Sequence, residues 1–166
     1  MIDNRLLTEA ELLLAACRAA GIRLTTAESC TGGLIAAALT AIAGSSDVVD
    51  RGFVTYSNEA KNELLGVPMG LIDALGAVSG PVARQMAEGA LKRSRAHITI
   101  AVTGVAGPGG GSAEKPVGLV WFGLAQRGHP VHGESHVFPG DRAAIREATV
   151  AKAFQLIRSR LGSPGI

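Results

Sequence analysis

Residues 26–33, with the sequence TAESCTGG, constrain the fold more than any other stretch of this chain. They follow a short β-favouring run over residues 22–27 and precede an apolar helical pattern over residues 34–42. The turn contains a carboxylate, a serine and a threonine hydroxyl, a thiol and two glycines, whereas a turn that only joins a strand to a helix needs one cap and one glycine. The pattern therefore predicts a strand–turn–helix unit whose turn is the centre of a functional site.

The rest of the sequence alternates between helical and strand patterns. Further helices are predicted over residues 4–20, with Asp3 or Asn4 as the cap, and over 59–65, 69–75, 79–95 and 142–161. Further strands are predicted over 48–57, 97–102, 117–126 and 131–138, the last two forming a hairpin. These elements predict a single α/β domain over residues 1–166, with three layers (α/β/α) and a mixed, mostly parallel sheet of about five strands. We expect the parallel part near the strands that end at Glu28 and Val102, and a frayed tail at residues 163–165.

Composition excludes several classes of function. Hydrophobic residues make up 47% of the chain and charged residues 18%, which excludes an intrinsically disordered protein. Aromatic residues make up 4%, too few for a surface on which single-stranded nucleic acid stacks. The net charge is +2 and the basic residues are scattered, apart from Lys92, Arg93 and Arg95, so no nucleic-acid partner is expected. No apolar run approaches the ~20 residues that span a bilayer, and no signal peptide or disulfide pattern is recognisable, so we expect a reduced, cytoplasmic protein without a membrane partner.

Two glycine-rich loops follow predicted strands, the opening turn and residues 103–112 (TGVAGPGGGS). Loops at the carboxyl ends of parallel strands line the crevice of an open α/β sheet. Neither loop has the spacing of a P-loop or of a dinucleotide-binding fingerprint. Backbone N–H groups near Thr31, Gly32 and Gly33, at the start of a helix, would favour an anion such as a single phosphate. The alternative for the second loop is an ordinary turn.

The opening turn also offers a nucleophile, because Ser29 and Cys30 are adjacent at a helix start. A hydroxyl nucleophile needs a base. The four histidines are poor candidates, since His97 begins a buried strand and the others lie in the terminal hairpin. Lys61, one turn into the helix that follows the second strand, is a candidate base, and Tyr56 could orient it or relay a proton. The alternative is that Lys61 is solvated, as most lysines near helix starts are. No His, Cys or carboxylate spacing suggests a metal.

The sequence resembles the C-terminal domain of the CinA (competence/damage-inducible) family along nearly its whole length. The resemblance rests on five motifs in order: TAESCTGGLIAAALTAIAGSS (26–46), GFVTYSNEAKNELLGV (52–67), GAVSGPVARQMAEGA (76–90), AVTGVAGPGGGSAEKPVGLVW (101–121) and FPGDR (138–142). It implies nicotinamide-nucleotide amidohydrolase activity, which converts nicotinamide mononucleotide and water to nicotinate mononucleotide and ammonia. It also implies Ser29 as nucleophile, Tyr56 and Lys61 in support, and no cofactor or metal. Within the family, the chain resembles the stand-alone form of the domain.

Several roles stay open at this point. Glu28 could face the pyridinium of the substrate or pair with Lys61, and Thr31 is either the cap of its helix or a phosphate ligand. Arg142 has either a surface role or a phosphate contact, and Asn58 could be only a helix cap. The expected walls of a mononucleotide pocket are the opening turn and the second loop, that is, Glu28, Cys30, Thr31, Gly32, Gly33, Thr103, Gly104, Gly107 and Gly109. A homo-oligomer, a dimer or higher, is expected from the apolar helix faces. A nucleotide-binding or partner-binding module without catalytic activity is the alternative function.

Overall fold

The computed structural model of the chain describes residues 1–162, so the tail predicted at residues 163–165 lies outside it. Six α-helices, one short 3-10 helix (Ser45–Asp47) and five strands are present in these residues. The α-helices and strands are α1 (Asn4–Ala20), β1 (Leu24–Glu28), α2 (Leu34–Thr40), β2 (Val49–Val54), α3 (Asn58–Leu65), α4 (Met69–Leu75), α5 (Gly80–Lys92), β3 (Ile98–Gly104), β4 (Leu119–Gln126), β5 (His132–Val137) and α6 (Arg142–Arg160). Every helix and strand predicted from the pattern is present, which confirms the α/β assignment.

The five strands form one mixed sheet in the order β2-β1-β3-β4-β5. Strand β1 pairs in parallel with both β2 and β3, while β4 and β5 continue the sheet antiparallel. The last residue of β1, Glu28, is opposite Val54 on one side and Val102 on the other. The parallel part therefore lies where it was predicted. The carboxyl ends of β1, β2 and β3 lie at the same edge of the sheet.

Helices cover both faces of the sheet and produce the three predicted layers. Helices α1, α2 and α6 pack on one face, around a core that includes Leu13, Ile35 and Phe154. Helices α3, α4 and α5 pack on the other, around Leu65 and Met86. All five residues of β1 are buried because this central strand is covered from both sides. Within residues 1–162, no helix is both long and apolar enough to cross a membrane.

The element boundaries follow local capping, and several of them differ by two or three residues from the sequence pattern. Asp3 caps α1 by accepting from the Arg5 N–H, and Gly21 ends the helix in the left-handed conformation. Strand β2 ends at Val54, three residues earlier than predicted, because the chain must turn into α3, whose N-cap is Ser57. Helix α5 ends at Lys92 rather than near residue 95. Strand β3 continues to Gly104 because β4 pairs with it as far as Val120.

Candidate active site

A cavity of about 240 Å³ lies at the edge of the sheet where β1, β2 and β3 end. Ser29 follows β1, Tyr56 follows β2, and Thr103 and Gly104 are the last residues of β3. Helix α3, the segment between α4 and α5, and the start of α6 form the rest of the wall. The lining residues are Ser29, Cys30, Tyr56, Asn58, Lys61, Ala77, Val78, Thr103, Gly104, Ala106 and Arg142. The register of the parallel strands thus brings the two junctions singled out in the sequence into one pocket.

Larger cavities occur elsewhere but lack a comparable set of reactive groups. One of them, with a volume of about 500 Å³, is lined mainly by α6 and includes Glu9, Phe138 and Lys152. No buried hydroxyl or thiol lines it. Volume alone would favour that cavity, whereas the chemistry of the side chains favours the smaller one, which is also at the strand ends where ligands of α/β sheets bind.

Ser29 and Lys61, 32 positions apart in sequence, are in direct contact. The Lys61 Nζ lies 2.9 Å from the Ser29 Oγ. The same nitrogen donates to the Thr55 carbonyl at 2.9 Å and the Tyr56 carbonyl at 3.2 Å. Three fixed partners hold the amine in one position. In the neutral form of the amine, its two N–H groups satisfy the two carbonyls and its lone pair remains for the Ser29 hydroxyl.

Lys61 is almost completely buried, with 1% of its surface exposed. The alternative left open by the sequence, that this lysine is solvated, is therefore wrong. Burial lowers the pKa of its ammonium group from 10.5 to about 8, and the nearby Cys30 opposes this effect only partly. No carboxylate forms a salt bridge with Lys61 within residues 1–162. Because of this lowered pKa, Lys61 is neutral in roughly a tenth of the protein molecules at pH 7, whereas an ordinary lysine is neutral in a negligible fraction.

Cys30, the other possible nucleophile, has the opposite electrostatic setting. It is 7% exposed, and burial is the main reason that the pKa of its thiol rises from 9.0 to about 11. Reactive cysteines have lowered pKa values, since the thiolate is the attacking species. Cys30 therefore remains a protonated thiol at neutral pH, and the geometry favours the hydroxyl of Ser29.

Glu28 does not have the surroundings expected from the sequence. Its carboxylate is fully buried and accepts four hydrogen bonds, from the Thr31 hydroxyl at 2.6 Å, the Ile35 and Ala36 N–H groups at 2.9 and 3.0 Å, and the Thr26 hydroxyl at 3.3 Å. It neither pairs with Lys61 nor lines the cavity. The carboxylate occupies the N-terminus of α2, the place where the sequence suggested that a substrate anion would bind.

Thr31, Gly32 and Gly33 form the turn rather than the pocket wall. Thr31 is buried, and with its hydroxyl donated to Glu28 it is not aimed at a ligand; Gly33, not Thr31, holds the N-cap position of α2. Gly32 and Gly33 have φ values of 57° and 99°, a conformation that glycine adopts without strain. The Gly32 N–H donates to the Ser29 carbonyl at 3.0 Å, so it is not available to a substrate. Thr31 is therefore not the N-cap of α2, and its hydroxyl is engaged by Glu28.

The second loop contributes its first residues to the cavity and not its later glycines. Thr103 and Gly104 line the pocket, and the Thr103 hydroxyl donates to the Ala77 carbonyl at 2.9 Å. Gly107 and Gly109 do not line it. The Gly107 carbonyl instead accepts a hydrogen bond from Arg142 at 2.8 Å. That bond ties the loop to the start of α6.

Tyr56 and Arg142 form a pair that the sequence did not indicate. The Tyr56 side chain is 61% exposed, and its hydroxyl accepts from the Arg142 guanidinium at 3.1 Å. Only the backbone carbonyl of Tyr56 contacts Lys61, so the structure does not bring the tyrosine hydroxyl to the lysine. Arg142 lines the cavity and is the first residue of α6. A positive charge at a helix N-terminus is electrostatically unfavourable. The position of Arg142 at the predicted start of a helix was therefore the one feature of the sequence that indicated a functional role for this residue.

The histidines lie away from this cavity, as expected. His132 and His136 both contact the Glu134 carboxylate on the edge strand β5, at 2.9 and 2.6 Å, and the His97 Nδ1 accepts from the Arg23 N–H at 2.9 Å. No group of three or more His, Cys, Asp or Glu side chains in residues 1–162 is arranged to hold a metal ion.

Comparison with known proteins gives consistent matches. Residues 7–161 match the family model of the CinA C-terminal domain. The chain is 49% identical over 158 residues to the nicotinamide-nucleotide amidohydrolase PncC of Escherichia coli, covering 95% of both. It is 52% identical over 149 residues to a putative competence-damage inducible protein of Symbiobacterium thermophilum; the match covers 85% of this chain but only 35% of that relative. A crystal structure of the competence/damage inducible protein CihA of Agrobacterium tumefaciens superposes with a TM-score of 0.92 at 49% identity, covering 96% of this chain and 97% of that one.

Proposed function

Because the chain belongs to the CinA C-terminal domain family, we propose that it is a nicotinamide-nucleotide amidohydrolase that hydrolyses nicotinamide mononucleotide through Ser29. The products are nicotinate mononucleotide and ammonia. The name of the Escherichia coli relative, which matches along 95% of both chains, supports the reaction and the substrate. One observation carries the chemistry: the 2.9 Å contact between the Ser29 Oγ and the Nζ of a buried lysine.

In the first step, neutral Lys61 is the general base. Its lone pair takes the proton of the Ser29 hydroxyl while the Oγ attacks the amide carbon and forms a C–O bond. A hydroxyl is a weak nucleophile until an adjacent base removes its proton, which is why a lysine with a lowered pKa is suited to this position. The Thr55 and Tyr56 carbonyls accept the N–H groups of the resulting ammonium and stabilise its charge.

The oxyanion formed by this attack needs N–H donors close to the nucleophile. In residues 1–162, the N–H groups of Cys30 and Thr31 donate to no backbone carbonyl, whereas the Gly32 N–H is used within the turn. We assign the oxyanion to the first two. Collapse of the intermediate breaks the C–N bond, and Lys61 returns its proton to the departing ammonia. Water then attacks the acyl–enzyme, and its proton passes through Lys61 to the Ser29 Oγ as the C–O bond breaks.

The test compares Ser29→Ala with Cys30→Ala, both assayed for ammonia release from nicotinamide mononucleotide. We expect Ser29→Ala to lose about 10³-fold or more in kcat with an unchanged circular dichroism spectrum, because no neighbouring group replaces the hydroxyl. Cys30→Ala keeps the backbone N–H and should retain turnover within about tenfold. Full activity in Ser29→Ala together with loss in Cys30→Ala would assign the nucleophile to the thiol instead.

A binding module without catalytic activity would give a different result. The wild-type protein would then be stabilised by nicotinamide mononucleotide in a thermal-shift assay but would release no ammonia from it.

A further inference from the structure

We propose that Arg142 binds the phosphate of the mononucleotide and makes the pocket selective for the nucleotide over the nucleoside, which lacks the phosphate. This inference rests on the proposed function, since the substrate must carry its amide and its phosphate at opposite ends. It also assigns the Tyr56 side chain to phosphate binding rather than to proton transfer.

The charges in the cavity wall favour an anion. Two cations line it, Lys61 and Arg142, and no aspartate or glutamate does so. Arg142 forms no salt bridge within residues 1–162. The neighbouring carboxylate, Asp141, is engaged as the cap of α6, where it accepts from the Ala144 N–H at 2.9 Å. The guanidinium therefore stands in the cavity wall without a counter-ion, which is the environment in which arginine binds phosphate well.

The hydrogen bonds of Arg142 hold it in place without using all its donors. One terminal nitrogen donates to the Gly107 carbonyl at 2.8 Å and the other to the Tyr56 hydroxyl at 3.1 Å. A guanidinium has five N–H groups, so three remain available. The Tyr56 hydroxyl, which accepts from Arg142, keeps its own proton to donate, and the Asn58 amide lines the same wall. These are the donors that a phosphate dianion requires.

The alternative anion site is already filled. The N-terminus of α2 holds the Glu28 carboxylate, which accepts the Ile35 and Ala36 N–H groups. A phosphate placed there would meet a buried negative charge. Arg142 and Ser29 belong to the wall of the same cavity, so a ligand with its amide at Ser29 can have its anionic end at Arg142.

The experiment measures binding in the Ser29→Ala background, so that it does not depend on turnover. Titration calorimetry gives the Kd of nicotinamide mononucleotide and of nicotinamide riboside, which lacks the phosphate. We expect Arg142→Gln to weaken binding of the nucleotide by about 10- to 100-fold, the loss typical of a charge-assisted phosphate contact, and to change binding of the riboside much less. Arg158→Gln, which removes an exposed arginine from the same helix, should bind both ligands as its parent does.

Each outcome has one reading. Equal weakening of both ligands by Arg142→Gln, or no weakening of either, overturns the phosphate assignment. If the wild-type protein releases ammonia from the nucleotide but Arg142→Gln does not change nucleotide binding, the phosphate assignment is refuted and the proposed hydrolysis is not. Arg142-dependent binding without ammonia release refutes the proposed hydrolysis and supports the phosphate site. Competition by inorganic phosphate that disappears in Arg142→Gln gives a second, substrate-independent confirmation.

Discussion

Replacing Lys61 with methionine tests whether the lysine has the lowered pKa that the mechanism needs. Methionine fills a similar volume without an amine, which limits the cavity that a truncation would leave in this buried site. The variant should lose turnover, because the Ser29 hydroxyl loses its base. It should also lose a specific pH dependence of stability, whose size follows from the pKa of the lysine.

That pH dependence has a defined sign. In the folded protein the pKa of Lys61 is about 8, and its ordinary value is 10.5. Between these pH values the unfolded chain keeps the proton and the folded protein does not, so the free energy of unfolding rises with pH. Below pH 8 both states are protonated, and the wild-type protein carries the full cost of a buried ammonium. At about 1.4 kcal/mol per pKa unit, the total gain is roughly 3 kcal/mol, of which about 1.4 kcal/mol appears between pH 7 and pH 9.

The assay is urea denaturation of both proteins at pH 7 and pH 9, and the readout is the difference between them. The wild-type curve alone is insufficient, because burial raises the pKa values of Cys17 and Cys30 to about 12 and 11, which opposes the gain at higher pH. The stability of the wild type relative to Lys61→Met should increase by about 1.4 kcal/mol over this interval. Lys92→Met, at an exposed position, should follow the wild type. A difference that does not change with pH would refute the lowered pKa.

Two further predictions concern the same site. First, kcat/KM of the wild type should rise with pH and level off above about pH 8, because the neutral form of Lys61 is the active base; a pH–rate profile with no limb near this value would contradict the lysine as base. Second, Glu28→Gln should lower the free energy of unfolding by about 1–3 kcal/mol, because its amide group would direct N–H donors at a site where four donors converge. It should also lower kcat more than it raises KM, because the turn that contains Ser29 loses hydrogen bonds that fix its position. Glu11→Gln, on the exposed face of α1, is the control in the same denaturation and activity assays.

The elements of this fold could be read from the sequence because local interactions determine them. Apolar spacing and caps such as Asp3, Gly21 and Ser79 act within one or two helical turns, and the structure has helices beginning or ending at each. The ends of β2 and β3 were less accurate, because the turn into α3 ends β2 and pairing with β4 extends β3 to Gly104. Such pairing is not visible in a single segment.

In the candidate site, too, the residues that depend on short-range pattern could be predicted, and their distant partners could not. Ser29 and Lys61 were candidates from the sequence because each follows a predicted strand at a helix start, and parallel strands release their chains at one edge of the sheet. What the sequence could not supply was the partner of each polar group. From the sequence, Glu28 could have faced the substrate or paired with Lys61. Only the position of α2 against β1 directs its carboxylate to the Ile35 and Ala36 N–H groups.

Arg142 shows most clearly what the tertiary structure decides. It lies 86 positions from Tyr56 in sequence, and its contact with that hydroxyl depends on the sheet order and on how α6 packs against β3 and β4. The sequence by itself determined the elements, the nucleophile candidate in the TAESCTGG turn and the candidate lysine, because these depend on short-range pattern and strand direction. The tertiary structure decided that Glu28 lies at the N-terminus of α2, that burial lowers the pKa of Lys61, and that Arg142 lines the cavity without a salt bridge to any of residues 1–162. These features depend on the tertiary structure because burial and hydrogen-bond partners are set by residues distant in the chain.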